Sequence, residues 1–291
     1  MGNESSTNHE RLVVENAYKI FGGDPEPAFK LLKEGKAKEE IYKKTGLTIG
    51  VQNASFSVSS GEIFVIMGLS GSGKSTLVRC INRLVEPTKG NVYLEDSSGE
   101  TVNVTTLSSD ALREVRRERI SMVFQEFALF PHMSVLENVV YALRIKGEQN
   151  CEKKGREMLD EVGLSGWGEV SPSELSGGMK QRVGVARAFV TNSDVVLMDE
   201  PFSALDPLIR REMQEWFLDE LKHKFEFERT IFFITHDLQE ALRVGDRIAI
   251  MKEGQMVQIG SPQDILQNPA DEYVQAFVQD IKELAEEGDL F

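Results

Sequence analysis

Gly68, Gly73, Lys74 and Ser75 stand at the spacing G-x-x-x-x-G-K-[ST] inside "GLSGSGKST", residues 68–76. Glycines at this spacing let a backbone turn its N–H groups inward around an anion, and the positive end of a following helix adds to the attraction. A lysine in that place is a point charge for the β- and γ-phosphates of a nucleotide, and the next hydroxyl suits Mg²⁺. The stretch therefore reads as a nucleotide-phosphate loop, with Gly68, Ser70, Gly71, Ser72, Gly73, Lys74, Ser75 and Thr76 as its contacts. Asp199 and Glu200 end the run "VVLMDE". A plain strand end gives no reason for acids after so apolar a run. Asp199 suits Mg²⁺ binding, directly or through water, and Glu200 suits a general base for an attacking water, because neighbouring side chains on a strand point apart. His236, after a third apolar run, is placed to hydrogen-bond a γ-phosphate. "LSGGMKQR", residues 175–182, is a second glycine cradle, yet it lacks the lysine of an independent site. Ser176 is also suited to cap a helix running through "MKQRVGVARAFV".

Positioning these groups calls for strands that end at them. "EIFVIMG" (62–68), "SDVVLMDE" (193–200) and "RTIFFITHD" (229–237) lack period-2 alternation, so they read as strands buried on both faces, with helical patterns between them. That is a parallel sheet in an α/β fold, whose ligands sit beyond the carboxyl ends of the strands. A chain of 291 residues with 41% hydrophobic content can bury a large core. The net charge of −14, from 47 acidic and 33 basic side chains, disfavours a nucleic-acid partner or an anionic lipid surface. Any phosphate must be held by a local constellation. The apolar runs fall short of the roughly 18 residues of a membrane span, and the polar N-terminus lacks the features of a secretory signal, so a cytoplasmic location is expected. Cys80 and Cys151 match no metal spacing.

With "SALD" (203–206), "ITHD" (234–237) and Gln125 of "MVFQ" in place, the motif series resembles the ATP-binding subunit of ABC transporters over roughly residues 11–275. The resemblance implies a P-loop NTPase with a RecA-like parallel sheet core, an N-terminal antiparallel β part and a helical subdomain over about 105–185 that carries "LSGG". It implies ATP and Mg²⁺ as cofactors, with Ser75, Gln125 and Asp199 toward the metal and Gln125, Glu200 and His236 toward the reacting water and γ-phosphate. A phosphate loop already surrounds most oxygens of its own ATP, so a second cradle needs a nucleotide bound elsewhere. A head-to-tail pair of copies answers this, each cradle covering the partner's γ-phosphate. Ser176, Gly177 and Gly178 then touch the partner's ATP, and Ser203 to Asp206 cross the interface near it. Phe21 is the candidate to stack on adenine, with Tyr18 as the alternative.

Within that family, "YKIFGGDP", "FALFPHMSVLENV" and "FSALDPLIRREMQ" look like the branch that imports glycine betaine, proline betaine and related quaternary amines. The expected function is an ATPase subunit powering such import through a separate transmembrane permease fed by a substrate-binding protein, peripheral on the inner membrane face. The alternatives are an importer of another small amine or amino acid, such as trimethylamine N-oxide, and a non-transport cytosolic ABC ATPase. The segment 126–139, with Phe127, Leu129, Phe130 and Met133 ahead of a capping box at Ser134 and Glu137, is the region that receives the membrane subunit in relatives. An insertion at 24–49 reads as a surface helical hairpin, with Ala28, Leu31 and Leu32 at helical spacing. A polar tail is expected at 1–10 and an acidic helix and tail at 276–291, without the CBS domains that longer members carry. Arg113, Arg116, Arg117 and Arg119 read as a solvated stripe, and Met213, Trp216 and Phe217 as core. Trp167 receives no role.

Overall fold

The computed structural model describes residues 9–96, 98–223 and 229–286; most of the expected N-terminal tail and the end of the expected acidic tail lie outside the described residues. The chain divides into two units, one built from residues up to 108 together with those from 236 onward, the other from residues 109–235.

Alternation builds the first sheet. In β1 (Glu10–Phe21), Leu12 and Val14 point inward, and then Asn16 takes a left-handed φ of 45°. The register against the next strand slips between Val14 and Ala17, a bulge that brings Ala17 and Ile20 back to the buried face. The expected hairpin follows as α1 (Glu26–Lys33) and α2 (Lys38–Thr45). It ends sooner than the expected 49, because Gly46 turns left-handed at φ 70° and β2 (Thr48–Ser59) begins. Ala28, Ile41, Leu47, Ile20 and Ile49 form a buried cluster, with Leu31 and Leu32 half-buried against it. Then come β3 (Ile63–Met67), α3 (Lys74–Ile81), β4 (Lys89–Glu95) and β5 (Thr101–Asn103). An antiparallel sheet results, in the order β2-β1-β4-β5.

The second unit contains α4 (Ser109–Glu118), β6 (Ile120–Val123), α5 (Val135–Lys146), α6 (Cys151–Glu161), α7 (Gly177–Phe189), β7 (Val195–Asp199), α8 (Pro207–His223) and β8 (Thr230–Thr235). β6, β7 and β8 pair in parallel, in that order. β7 and β8 are buried throughout, which is why they read as unbroken apolar runs. Helices occupy much of the span 105–185, and β6 also runs through it. Gly155 lets α6 lie close on α5, since a Cβ there would stand 2.3 Å from Val140 Cγ1.

Back in the first unit, α9 (Leu238–Val244), β9 (Arg247–Lys252), β10 (Gln255–Gly260), α10 (Pro262–Gln267) and α11 (Glu272–Glu286) are the remaining described elements. β9 runs parallel to β3 and antiparallel to β10. Among the described residues, no helix is long and apolar enough to cross a membrane.

Candidate functional site

In the first unit the loop after β3 is tightly packed at its two outer glycines. Gly73 caps α3 at φ 106°, and a Cβ there would stand 2.2 Å from the Gly50 carbonyl oxygen. At Gly68 a Cβ would stand 2.1 Å from the Met251 carbonyl oxygen. Neither position has room for a side chain. Lys74 is 4% exposed, and its Nζ donates to the Gly68 carbonyl at 2.7 Å and the Leu69 carbonyl at 3.3 Å. Its cation is thereby folded against the loop it serves. Leu69, Ser70 and Gly71 are exposed, Ser75 and Thr76 half-buried. Ser72 is buried, and its hydroxyl has no hydrogen-bond partner among the described residues. The loop is braced from behind: Gly254 N–H donates to the Ser72 carbonyl and Gln52 N–H to the Gly254 carbonyl. On α11, burial holds the Tyr273 phenol above its ordinary pKa, with the Leu69 backbone opposing the shift.

Phe21 ends β1 39% exposed, with Lys19 Nζ 4.9 Å from its ring centre. A Cβ on Gly50 would meet both the Phe21 ring, at 2.8 Å, and Thr76 Cγ2, at 2.9 Å, so the ring lies beside the start of α3. Tyr18 instead packs edge-on against Phe29 at 5.4 Å. His236 follows β8 directly and is exposed, one residue before Asp237 caps α9.

In the second unit Asp199 closes β7 fully buried, paired in register with Ile234. Glu200 lies beyond the strand, where the sequence reading had included it. Its backbone is left-handed at φ 47°, so it parts from Asp199 by a turn and not by strand alternation. The turn is pinned: Glu200 N–H donates to the Ile234 carbonyl, and its own carbonyl accepts from both the N–H and the hydroxyl of Ser203. A carboxylate on so fixed a backbone is pre-positioned.

Ser176 caps α7, its hydroxyl accepting from the Met179 N–H at 3.3 Å. Ser176 and Gly177 are exposed, so the positive end of the helix is open to an anion. Gly178 is buried, and a Cβ there would stand 2.6 Å from Ile209 Cγ2. Asp206 accepts from the Ile209 N–H and so opens α8, while Arg210 binds the Ser203 and Leu205 carbonyls.

Gln125 is exposed, just past β6. Phe127, Leu129, Phe130 and Met133 after it are half-buried, and the Ser134–Glu137 capping box is formed. A groove of about 330 Å³ lies alongside, lined by Arg116, Met122, Tyr141, Ile145 and Arg187 among others. Asn138, fully buried, donates to the Phe130, Met133 and Ser134 carbonyls and accepts from the Phe130 N–H. Arg187 donates to the Phe127 and Ala128 carbonyls. Sequence reasoning has little hold on these two residues, because their acceptors are main-chain oxygens. The one signal is a lone asparagine on the apolar face of "VLENVVYAL".

Other residues carry no such chemistry. Arg113 pairs with Asp110, and Arg117 with Glu114 and Glu118, on an exposed stripe. Met213 and Phe217 are buried, whereas Trp216 is half-buried with the Arg182 guanidinium 5.0 Å over its ring. Trp167 is 40% exposed. Both cysteines are free thiols, and burial pushes Cys80 up to about 12, far from a nucleophile's range.

Comparison with known proteins agrees with this geometry. The ABC transporter family model matches residues 51–203, just over half of the chain. A glycine betaine transport ATP-binding protein of Bacillus subtilis is 55% identical over 273 residues, covering 93% of this chain and 63% of that protein. A glycine betaine/proline betaine transport system ATP-binding protein of Salmonella typhimurium is 53% identical over 274 residues, covering 93% and 66%. The chain thus spans slightly under two thirds of the length of these curated relatives. Among solved structures, a dimeric ATP-binding cassette in a post-hydrolysis state with ADP and Pi bound is similar at a TM-score of 0.69 and 28% identity, covering 86% of this chain and 98% of that one. Motif order, phosphate loop and these matches agree, and the chain belongs to the ABC transporter family, with the α/β fold of its ATPase cassettes.

Proposed function

We propose that this chain is the ATP-hydrolysing subunit that powers import of a quaternary amine osmoprotectant through a separate membrane permease. The observation that carries the reading is the phosphate loop, in which two glycines are crowded by carbonyl oxygens and a buried lysine supplies the cation. The names of the relatives, which serve glycine betaine or proline betaine transport, support the cargo class.

The residues fit a magnesium-bound nucleotide. The loop offers exposed main chain at 69–71, the Lys74 charge and the Ser72 and Ser75 hydroxyls. Among the described residues no cluster of three or more His, Cys, Asp or Glu could hold a metal ion; Mg²⁺ at a nucleotide takes most of its ligands from phosphates and water. Bound MgATP supplies the phosphoanhydride bond whose hydrolysis drives the cycle. By the motif order, residues 68–76 would bind its phosphates, Phe21 would stack on adenine, and Ser75, Asp199 and Gln125 would hold the metal. Glu200 takes a proton from the attacking water at its carboxylate, while Gln125 and His236 orient water and γ-phosphate. The motif order carries the assignment of these residues to one nucleotide. Ser176, Gly177, Gly178 and Asp206 act on the ATP of a second copy, paired head to tail. ATP that touches both copies favours the closed pair, and its hydrolysis releases it. The half-buried residues of 127–133 and the groove beside them suit the permease, which keeps the chain on the inner membrane face and receives cargo from a substrate-binding protein.

Mixing two inactive variants tests the shared site. Ser176→Arg blocks the exposed cradle and Lys74→Ala removes the phosphate cation, so each alone is expected to lose ATPase activity. Mixed pairs contain one intact composite site and regain phosphate release; no recovery overturns the head-to-tail reading. With permease and binding protein reconstituted in vesicles, glycine betaine is expected to stimulate hydrolysis, and stimulation only by an unrelated amino acid overturns the cargo class.

A further inference from the structure

The segment after β6 passes through two consecutive left-handed residues that carry side chains, Phe127 at φ 57° and Ala128 at φ 48°. L-residues avoid this region because Cβ crowds the backbone, so a consecutive pair persists only where its surroundings pin it. Two side chains do so. Asn138 closes the far side of the segment through Phe130, Met133 and Ser134. Arg187 takes the left-handed pair itself, Nη1 donating to the Ala128 carbonyl at 2.6 Å and Nη2 to the Phe127 carbonyl at 2.9 Å. Gly184, one turn earlier on α7, faces the segment, a Cβ there standing in ordinary contact with the Phe127 oxygen at 3.9 Å.

The choice of arginine is informative. Burial pulls its guanidinium below its ordinary value, and no carboxylate offsets that shift. A half-buried cation gains most where its donors are used, and here two loop carbonyls accept from it. Arg187 sits near the C-terminal end of α7, whose opposite end is the Ser176 cap. A helix of 13 residues spans about 20 Å as a stiff rod.

We propose that Arg187 is a positioning residue: by gripping the Phe127 and Ala128 carbonyls it sets where the loop presents Gln125, and it ties that loop to the helix that begins at Ser176. The inference rests on the reading of Gln125 given above. A shift at the start of α7 is then felt two residues from Gln125 without passing through the sheet.

Arg187→Gln and Arg187→Lys, made in the full chain, test the grip by amide hydrogen exchange, steady-state ATPase kinetics and thermal unfolding. In Arg187→Gln, exchange at residues 125–130 is expected to rise about tenfold relative to the amides of β7, and kcat to fall about tenfold with KM for ATP unchanged. Arg187→Lys keeps the charge and part of the donor set and is expected to recover about a third of the lost rate. It also carries the test should the glutamine variant fail to fold. Exchange at 125–130 that rises no more than elsewhere overturns the grip, and a local rise with unchanged kcat overturns its role toward Gln125. A wild-type chain without ATPase activity would sink the hydrolytic reading instead, while the exchange measurement would still decide whether Arg187 holds the loop.

Discussion

The loop at 68–76 and the helix start at 175–178 are both made largely of glycine and serine, yet they are furnished differently. In the first, Lys74 lies buried on the loop carbonyls, and Gly68 and Gly73 stand so close to other main chain that no side chain fits. In the second, Ser176 and Gly177 are exposed, Met179 stands directly after the glycines where the first has its lysine, and Gly178 is pressed on Ile209. The first is a finished receptor for an anion. The second is a single wall with a helix dipole behind it, useful only when another surface brings the anion to it. Composition alone does not separate the two; a lysine buried on the loop carbonyls and the crowding of backbone by backbone do.

The harshest way to probe this contrast leaves both cradles intact. Glu200→Gln is expected to lower turnover roughly 10²–10⁴-fold while ATP still binds, as read by phosphate release and nucleotide retention. A variant that hydrolyses at the wild-type rate would take the general-base role away from Glu200. A direct comparison follows from placing a methyl group in each cradle. In Gly73→Ala, the new Cβ meets the Gly50 carbonyl at a left-handed φ, and stability should fall by about 2–4 kcal/mol with loss of nucleotide binding. In Gly177→Ala, the new Cβ meets only Leu205 Cδ2 at 3.4 Å, so the unfolding free energy should move by less than about 1 kcal/mol. Equal losses in thermal unfolding and ATP titration would erase the distinction. A mild test of the second cradle alone is Ser176→Ala. It removes the hydroxyl that accepts from Met179 and should cost about 1 kcal/mol of stability. ATP affinity of the dilute chain should stay unchanged, and a drop there would mean that the signature cradle serves its own nucleotide.

Much of this is legible in the sequence itself. The strands expected at 62–68, 193–200 and 229–237 appear as Ile63–Met67, Val195–Asp199 and Thr230–Thr235, because a strand buried on both faces leaves an unbroken apolar run. The Ser134–Glu137 box was legible for a similar reason, since its partners sit at a fixed local spacing. The left-handed turn at Glu200 was not. Nothing in the types of neighbouring residues marks a non-glycine backbone at positive φ, and the turn is held by a carbonyl of β8 and by Ser203. Arg187 was hidden in the same way, because its acceptors are peptide oxygens that every residue possesses. The bulge at Asn16 escaped too, since it appears only once β1 has a partner strand to slip against.

The insertion over α1 and α2 looked like surface decoration, but its buried cluster borrows Ile20 from β1 and Ile49 from β2. Those two isoleucines stand immediately before Phe21 and Gly50, the ring and the glycine that meet beside Thr76. The hairpin is therefore a buttress. Trimming it would strip the packing from under the strand ends that flank the nucleotide loop, so an engineer wanting a minimal version of this cassette would have to refill that hollow before removing it.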